Sequence, residues 1–148
     1  MQYNFVKIIF SGLFIVVSHF TIAQYNNENT LMRCDDYLHD DYISSGQDYT
    51  ANLNKNNKAV FHTTFYGGTQ YRIIACSNIE KYPLILEVYD TERNLIFSNS
   101  DHDYIPYWDL LFTSTVTSIV EISIDTKQNI KKPVKLLIGF KRSSLNLD

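Results

Sequence analysis

Three groups of residues have types and spacings that could do chemistry. Tyr104-Ile105-Pro106-Tyr107-Trp108 concentrates aromatic rings beside Asp101 and Asp103. Such rings stack on the apolar face of a sugar, and neighbouring carboxylates accept its hydroxyl hydrogens. Tyr104, Tyr107, Trp108, Asp101 and Asp103 are therefore the candidate ligand-binding residues. The competing role for Trp108, the single tryptophan, is to anchor one end of a core, with Tyr104 and Tyr107 capping a sheet edge. Asp101-His102-Asp103, together with Asp35, Asp36, Asp40 and Asp41, could supply the about six to eight oxygens that calcium takes, if their loops converge. The spacing lacks an Asp-x-Asp-x-Asp-Gly frame, and no other cofactor or metal is indicated. Cys34 and His39 pair a thiol with a base, but the acidic neighbours disfavour the thiolate that a nucleophile needs. His62 alternates with apolar residues and reads as a packed or rim residue. There is no Gly-x-Ser-x-Gly, His-Glu-x-x-His, Cys-x-x-Cys or phosphate-cradling loop, so no catalytic residue is assigned and a protein that is not an enzyme is expected.

Strands must hold these residues. From Asp48 the apolar residues recur with period two and turn signals recur about every ten residues, the pattern of an antiparallel sandwich or barrel. The first expected strand carries Tyr49, Ala51 and Leu53 and turns at Asn54-Lys55-Asn56-Asn57 into a hairpin partner over 59–66 with apolar groups on both faces. Gly67-Gly68 offers the positive φ angles of a tight turn. Further strands are expected over 69–77, 84–90, 95–98, 108–113, 118–124 and 134–140, with a longer loop at 99–107. Eight short strands bury their apolar faces only as two layers, so the fold class is all-β, a two-sheet antiparallel β-sandwich of jelly-roll-like order. Ahead of it, 31–43 reads as a short helix or turn ended by Gly46.

The start of the chain reads as a secretory signal peptide, with Lys7, an apolar run over 8–20 and Thr21-Ile22-Ala23 before a cleavage at Gln24. As a helix that run would span only about 20 Å, short of a ~30 Å hydrocarbon core, so no membrane span is expected after cleavage. Arg33 ahead of Cys34 argues against a lipobox. The expected organisation is 1–23 signal peptide, 24–47 lead-in with a short helical segment, 48–142 sandwich and 143–148 tail. With 148 residues, 45% hydrophobic and 14% aromatic, the chain is too apolar for disorder, and without its leader it has the size of one domain. Loss of Lys7 leaves 12 basic against 16 acidic residues, a formal charge of −4, with no Lys/Arg block, which excludes nucleic acid as an expected partner. An oxidising compartment would permit a Cys34–Cys76 disulfide. Closing its loop of about 43 residues would contribute about 4 kcal/mol in the chain-entropy model. Two free thiols are the alternative.

The run Gly68-Thr69-Gln70-Tyr71-Arg72-Ile73, then Leu84-Ile85-Leu86-Glu87-Val88-Tyr89-Asp90, Asn94-Leu95-Ile96-Phe97-Ser98, Trp108-Asp109-Leu110 and the 119–124 strand, resembles the bacterial pre-peptidase C-terminal domain. The likeness covers roughly residues 59–138 and implies a β-sandwich. In that family the domain accompanies a peptidase, and no peptidase region lies beside it in this sequence. The Thr64-Phe65-Tyr66-Gly67-Gly68 turn and Pro106-Tyr107-Trp108-Asp109 are similar to segments of small secreted proteins of Bacteroidota, a likeness that carries no activity with it. The leader ending Ile22-Ala23-Gln24 and the Asn-, Ile-, Lys- and Tyr-rich remainder also resemble exported proteins of that group. This implies the periplasm, the outer-membrane surface or the medium.

The expected function is an exported, non-catalytic binding module at the bacterial envelope, recognising a glycan or an envelope protein through the 99–108 loop. Two alternatives stand beside it. One is a structural subunit that joins an envelope assembly through an exposed edge strand at 134–140, flanked by Lys131, Lys132 and Lys141. The other is a hydrolase with a site of unfamiliar kind.

Overall fold

A computed structural model describes residues 33–47 and 49–142. The expected signal peptide, residues 24–32 of the expected 24–47 lead-in and the 143–148 tail lie outside the described residues. Among the described residues a 3₁₀ turn, Cys34–Tyr37, precedes nine strands: β1 Ile43–Ser44, β2 Tyr49–Asn52, β3 Lys58–Phe65, β4 Thr69–Ser77, β5 Ile85–Asp90, β6 Leu95–Ser98, β7 Tyr107–Phe112, β8 Val116–Ser123 and β9 Pro133–Arg142. A second 3₁₀ turn, Asn99–Asp101, opens the β6–β7 loop. Among the described residues no helix is long and apolar enough to cross a membrane.

The strands form two antiparallel sheets. One runs β1-β9-β4-β7, with β2 also paired to β9; the other runs β3-β8-β5-β6. Counting β1 and β2 as one interrupted strand, the orders are first-eighth-third-sixth and second-seventh-fourth-fifth, the winding of a jelly roll. The all-β, two-sheet sandwich expected from the alternation is therefore present.

Two expected connections differ. β2 and β3 are not a hairpin: β2 pairs with β9 and β3 with β8, in opposite sheets. Gly67-Gly68 likewise carries the chain between sheets, from β3 to β4, rather than closing a hairpin. Gly68 does take positive φ (73°), but among the described strands only Thr91 to Asn94 joins neighbours of one sheet, β5 and β6. The expected edge strand at 134–140 is also corrected. β9 lies inside its sheet, with β4 along one side and β1 and β2 along the other. Its even residues Val134, Leu136 and Ile138 face the core, and Leu137 is covered from the opposite face, so both sides of the strand are buried.

The main core between the sheets is built on Phe65, Ile73, Leu86, Val88, Val120, Ile122, Val134 and Leu136, all fully buried. A smaller cluster lies on the outer face of the β1-β9-β4-β7 sheet, where Cys34, Ile74, Cys76 and Leu137 are buried beneath the 33–42 segment. That segment is pinned by the Cys34–Cys76 disulfide, whose Cα atoms are 5.7 Å apart. Gly139 of β9 leaves room for the Leu38 side chain, which a Cβ would strike. This strap explains why β4 is buried on both faces, whereas the alternation alone would leave one face wet.

Candidate functional site

Residues 45–47 leave the β9 ladder between β1 and β2. Ser45 N still donates to Ile138 O at 2.9 Å, but Gly46 then turns with φ 74° and the pairing resumes only at Tyr49. Across from this break runs β3, the edge of the other sheet. The two edges stay in contact farther along, where the Tyr49 ring meets Phe61 edge-on at 6.0 Å. Towards Phe65 they part, and a cleft of about 630 Å³ opens between the sheets. This is within the usual size of a small-ligand site.

The floor of the cleft is apolar, made by Phe65, Tyr71, Ile138 and Phe140. Phe65 is held by Phe112, stacked at 4.5 Å, and by Tyr71, edge-on at 4.9 Å, so the floor is part of the rigid core. The Tyr71 hydroxyl accepts from Tyr66 N at 3.0 Å, fixing the turn that carries the 63% exposed Tyr66 ring. The rim is polar: Ser45 and Gln47 on one side, His62, Thr63, Thr64 and Thr69 on the other. Tyr49 ties the two rims together, its hydroxyl donating to Gln47 Oε1 and reaching Thr63 Oγ1 at 3.4 Å. Among the described side chains lining the cleft, none is Asp, Glu, Lys or Arg.

The charged residues that fold inward do so elsewhere and are paired. Arg72, 5% exposed in its side chain, forms a two-point bridge to Asp109, Nε to Oδ1 at 2.7 Å and Nη2 to Oδ2 at 2.9 Å. Its Nη1 donates to Tyr37 O at 3.1 Å, and its guanidinium lies between the rings of Tyr42 and Tyr107, 4.3 and 4.7 Å from their centroids. Burial most strongly opposes the ionised form of Asp109, but hydrogen bonds from Arg72 and Tyr42 and the Arg72 and Lys141 charges together outweigh it and hold the carboxyl below its ordinary range. Burial, with the Asp109 carboxylate nearby, pushes the Tyr42 hydroxyl up to about 12. On the outer face of the other sheet, Glu121 stands directly across from Glu87. Paired carboxylates can serve general acid–base chemistry, but Glu121 is 2% exposed and bridged by both Lys58 and Arg93. Burial again works against its charge, and those two cations win, lowering its pKa.

The aromatic stretch singled out in the sequence is divided in space. Tyr107 and Trp108 are neighbours on β7 and so point to opposite faces. Tyr107 packs on the outer face against Arg72 and Tyr37, while Trp108 faces inward and stacks on Phe97 at 5.1 Å and His102 at 4.2 Å, rings that also contact each other at 5.7 Å. Tyr104 alone presents its ring, 43% exposed, to a groove of about 420 Å³ shared with Tyr37, Tyr82, Pro83 and Pro106. Asp101 and Asp103 are exposed beside it. The five expected ligand residues therefore do not form one platform.

The expected convergence of acidic loops for calcium is not formed either. Asp36 bridges Arg33 at 2.8 Å, Asp40 pairs with His39 and Arg72, and among the described residues no three His, Cys, Asp or Glu side chains group to hold a metal ion. Cys34 is bonded to Cys76, which removes the thiol from any pairing with His39. His62 sits on the rim of the side cleft. The cleft itself was missed in the sequence; its one local signal is the exposed ring of Tyr66 directly ahead of Gly67-Gly68. No protein-family model matches this chain, and no curated protein is similar to it.

Proposed function

We propose that this protein is an exported, non-catalytic binding module of the bacterial envelope, and that its side cleft receives a neutral sugar unit of a glycan. The observation that carries this reading is the composition of the cleft: an aromatic floor, a rim of hydroxyl, amide and imidazole groups, and no charged group among its described side chains. A sugar offers an apolar ring face to stack and several hydroxyls that both donate and accept. Tyr66, at the mouth, is the stacking ring, and Gln47, Thr63, Thr64 and His62 are the hydrogen-bonding partners. An anionic sugar would meet no counter-charge among the described side chains, which disfavours it.

Export rests on the 1–23 leader, and membership among envelope proteins of Bacteroidota, near the pre-peptidase C-terminal domains, rests on the motif likeness alone. The test is calorimetric titration of the chain from Gln24 onward with neutral and acidic oligosaccharides released from envelope glycans. Binding of a neutral one, lost in Tyr66→Ala and kept in Tyr104→Ala, supports the side cleft. Binding lost in Tyr104→Ala and kept in Tyr66→Ala moves the site to the groove beside the disulfide and overturns this assignment.

A further inference from the structure

The edge of the sandwich farthest from the cleft is β7, and its backbone is open. Ala75 N donates to Pro106 O at 2.8 Å, and the β4–β7 register places these two residues opposite each other. Antiparallel partners alternate between pairs that exchange hydrogen bonds and pairs that do not. Trp108, Leu110 and Phe112 therefore bond to β4, while the N–H and C=O groups of Tyr107, Asp109 and Leu111 point away from it. Among the described residues no strand pairs on that side.

Edge strands are normally blunted by charged side chains, above all lysine, or by proline, a bulge or shortness. The other edges carry such devices: β6 has four residues and its pairing with β5 is bulged, β3 begins with Lys58, and β1 and β2 are an interrupted strand. β7, Tyr-Trp-Asp-Leu-Leu-Phe, has no lysine, proline or bulge within its six residues, and its one charge, Asp109, is held by Arg72. Its neighbourhood is apolar, with Leu111 58% exposed and Leu95 and Ile96 of the adjoining edge 54% and 41% exposed.

We propose that β7 pairs antiparallel with β7 of a second copy of this chain about a two-fold axis. Asp109 stands opposite the partner's Asp109, and Tyr107 opposite the partner's Leu111. The case for a second copy is self-complementarity. This register engages all three open residues at once, and it sets an exposed leucine beside an aromatic ring. The only charge on the edge, Asp109, is already neutralised by Arg72 of its own chain, so two copies can approach without opposing free carboxylates. The pairing joins two five-stranded sheets into one continuous sheet. Because β1, β2 and β3 form the opposite side, both clefts stay open and face away from each other. If the glycan reading holds, the dimer is divalent, and a repeating polymer would be held with an avidity that one site lacks.

The test is sedimentation equilibrium of the chain from Gln24 onward over a range of concentrations, with Leu111→Pro and Leu111→Lys. Proline at 111 removes an N–H that points outward and leaves the β4 ladder intact; lysine adds the missing edge charge and keeps the assay informative if the proline variant folds poorly. A dimer mass for the wild type and a monomer mass for a folded variant at the same loading are expected. A monomer at every concentration, or a dimer unchanged in the folded variants, overturns the proposal. Neither outcome depends on glycan binding.

Discussion

Arg72 and Asp109 face each other across the β4–β7 ladder and meet through two parallel hydrogen bonds of 2.7 and 2.9 Å. Arg72 also donates to the backbone of the strap, at Tyr37 O. One buried cation thus fastens the strap to the sheet at a point distant from the disulfide. Removing it leaves Asp109 without its partner, a change that typically costs about 3–5 kcal/mol. Arg72→Ala should lower the denaturation midpoint in urea by a corresponding amount. Arg72→Lys should recover only part of the loss, because an ammonium cannot bridge both carboxylate oxygens or lie flat between Tyr42 and Tyr107.

Asp109 and Glu121 both have carboxyls held below their ordinary values of 3.8 and 4.5. A carboxylate whose folded-state pKa is depressed contributes stability above its unfolded pKa, and this contribution fades as pH falls through the folded value. The melting temperature should therefore be level near neutrality and drop below about pH 4. Asp109→Asn and Glu121→Gln should start lower and show a shallower acid limb. Parallel acid limbs in wild type and variants would show that other groups govern the acid response.

The Cys34–Cys76 bridge closes a loop with a sequence separation of 42, so its loss should cost up to about 4 kcal/mol. The bridge holds the strap rather than the space between the sheets. Cys34→Ser, or reduction, should lower the calorimetric melting temperature while the far-ultraviolet β signal at 25 °C persists.

Asn99 is fully buried, accepts from Leu86 N at 2.8 Å and donates to Leu84 O and Ile105 O at 3.1 and 3.0 Å. Asn99→Ala strands these backbone groups and should cost about 3 kcal/mol. It should also change the emission of Trp108, because the loop that Asn99 ties down carries His102, stacked on the indole at 4.2 Å. Unchanged emission and stability would mean that water replaces the amide.

Much of the fold was legible because strand alternation is a local property. The expected strand over 69–77 coincides with β4, and Thr91 to Asn94 does turn β5 into β6. Which strand pairs with which is not local. Asn54 to Asn57 and Gly67-Gly68 mark where the chain reverses, but a reversal looks the same whether the next strand pairs alongside or crosses to the other sheet. β9 reads as an edge in the sequence because the strands along its two sides, β4 on one and β1 and β2 on the other, come from far earlier in the chain, which no local pattern shows. The division of Tyr107 from Trp108 follows from β7 starting one residue earlier than expected, at Tyr107. The cleft is a gap between two edges, assembled from residues 45–49, 62–71 and 138–140, and no stretch of sequence announces it.

The central claim is that the side cleft binds a neutral sugar, and the single tryptophan offers a direct way to test where binding occurs. Trp108 lies on the opposite edge from the cleft and close to the 99–106 loop. The measurement is titration with a neutral envelope oligosaccharide, followed by calorimetry and by Trp108 emission in the same samples. The account predicts saturable heat with unchanged emission, and loss of about tenfold or more in affinity for Tyr66→Ala, the scale expected when a central stacking ring is truncated. Saturable heat that tracks a shift in Trp108 emission and survives Tyr66→Ala would contradict it.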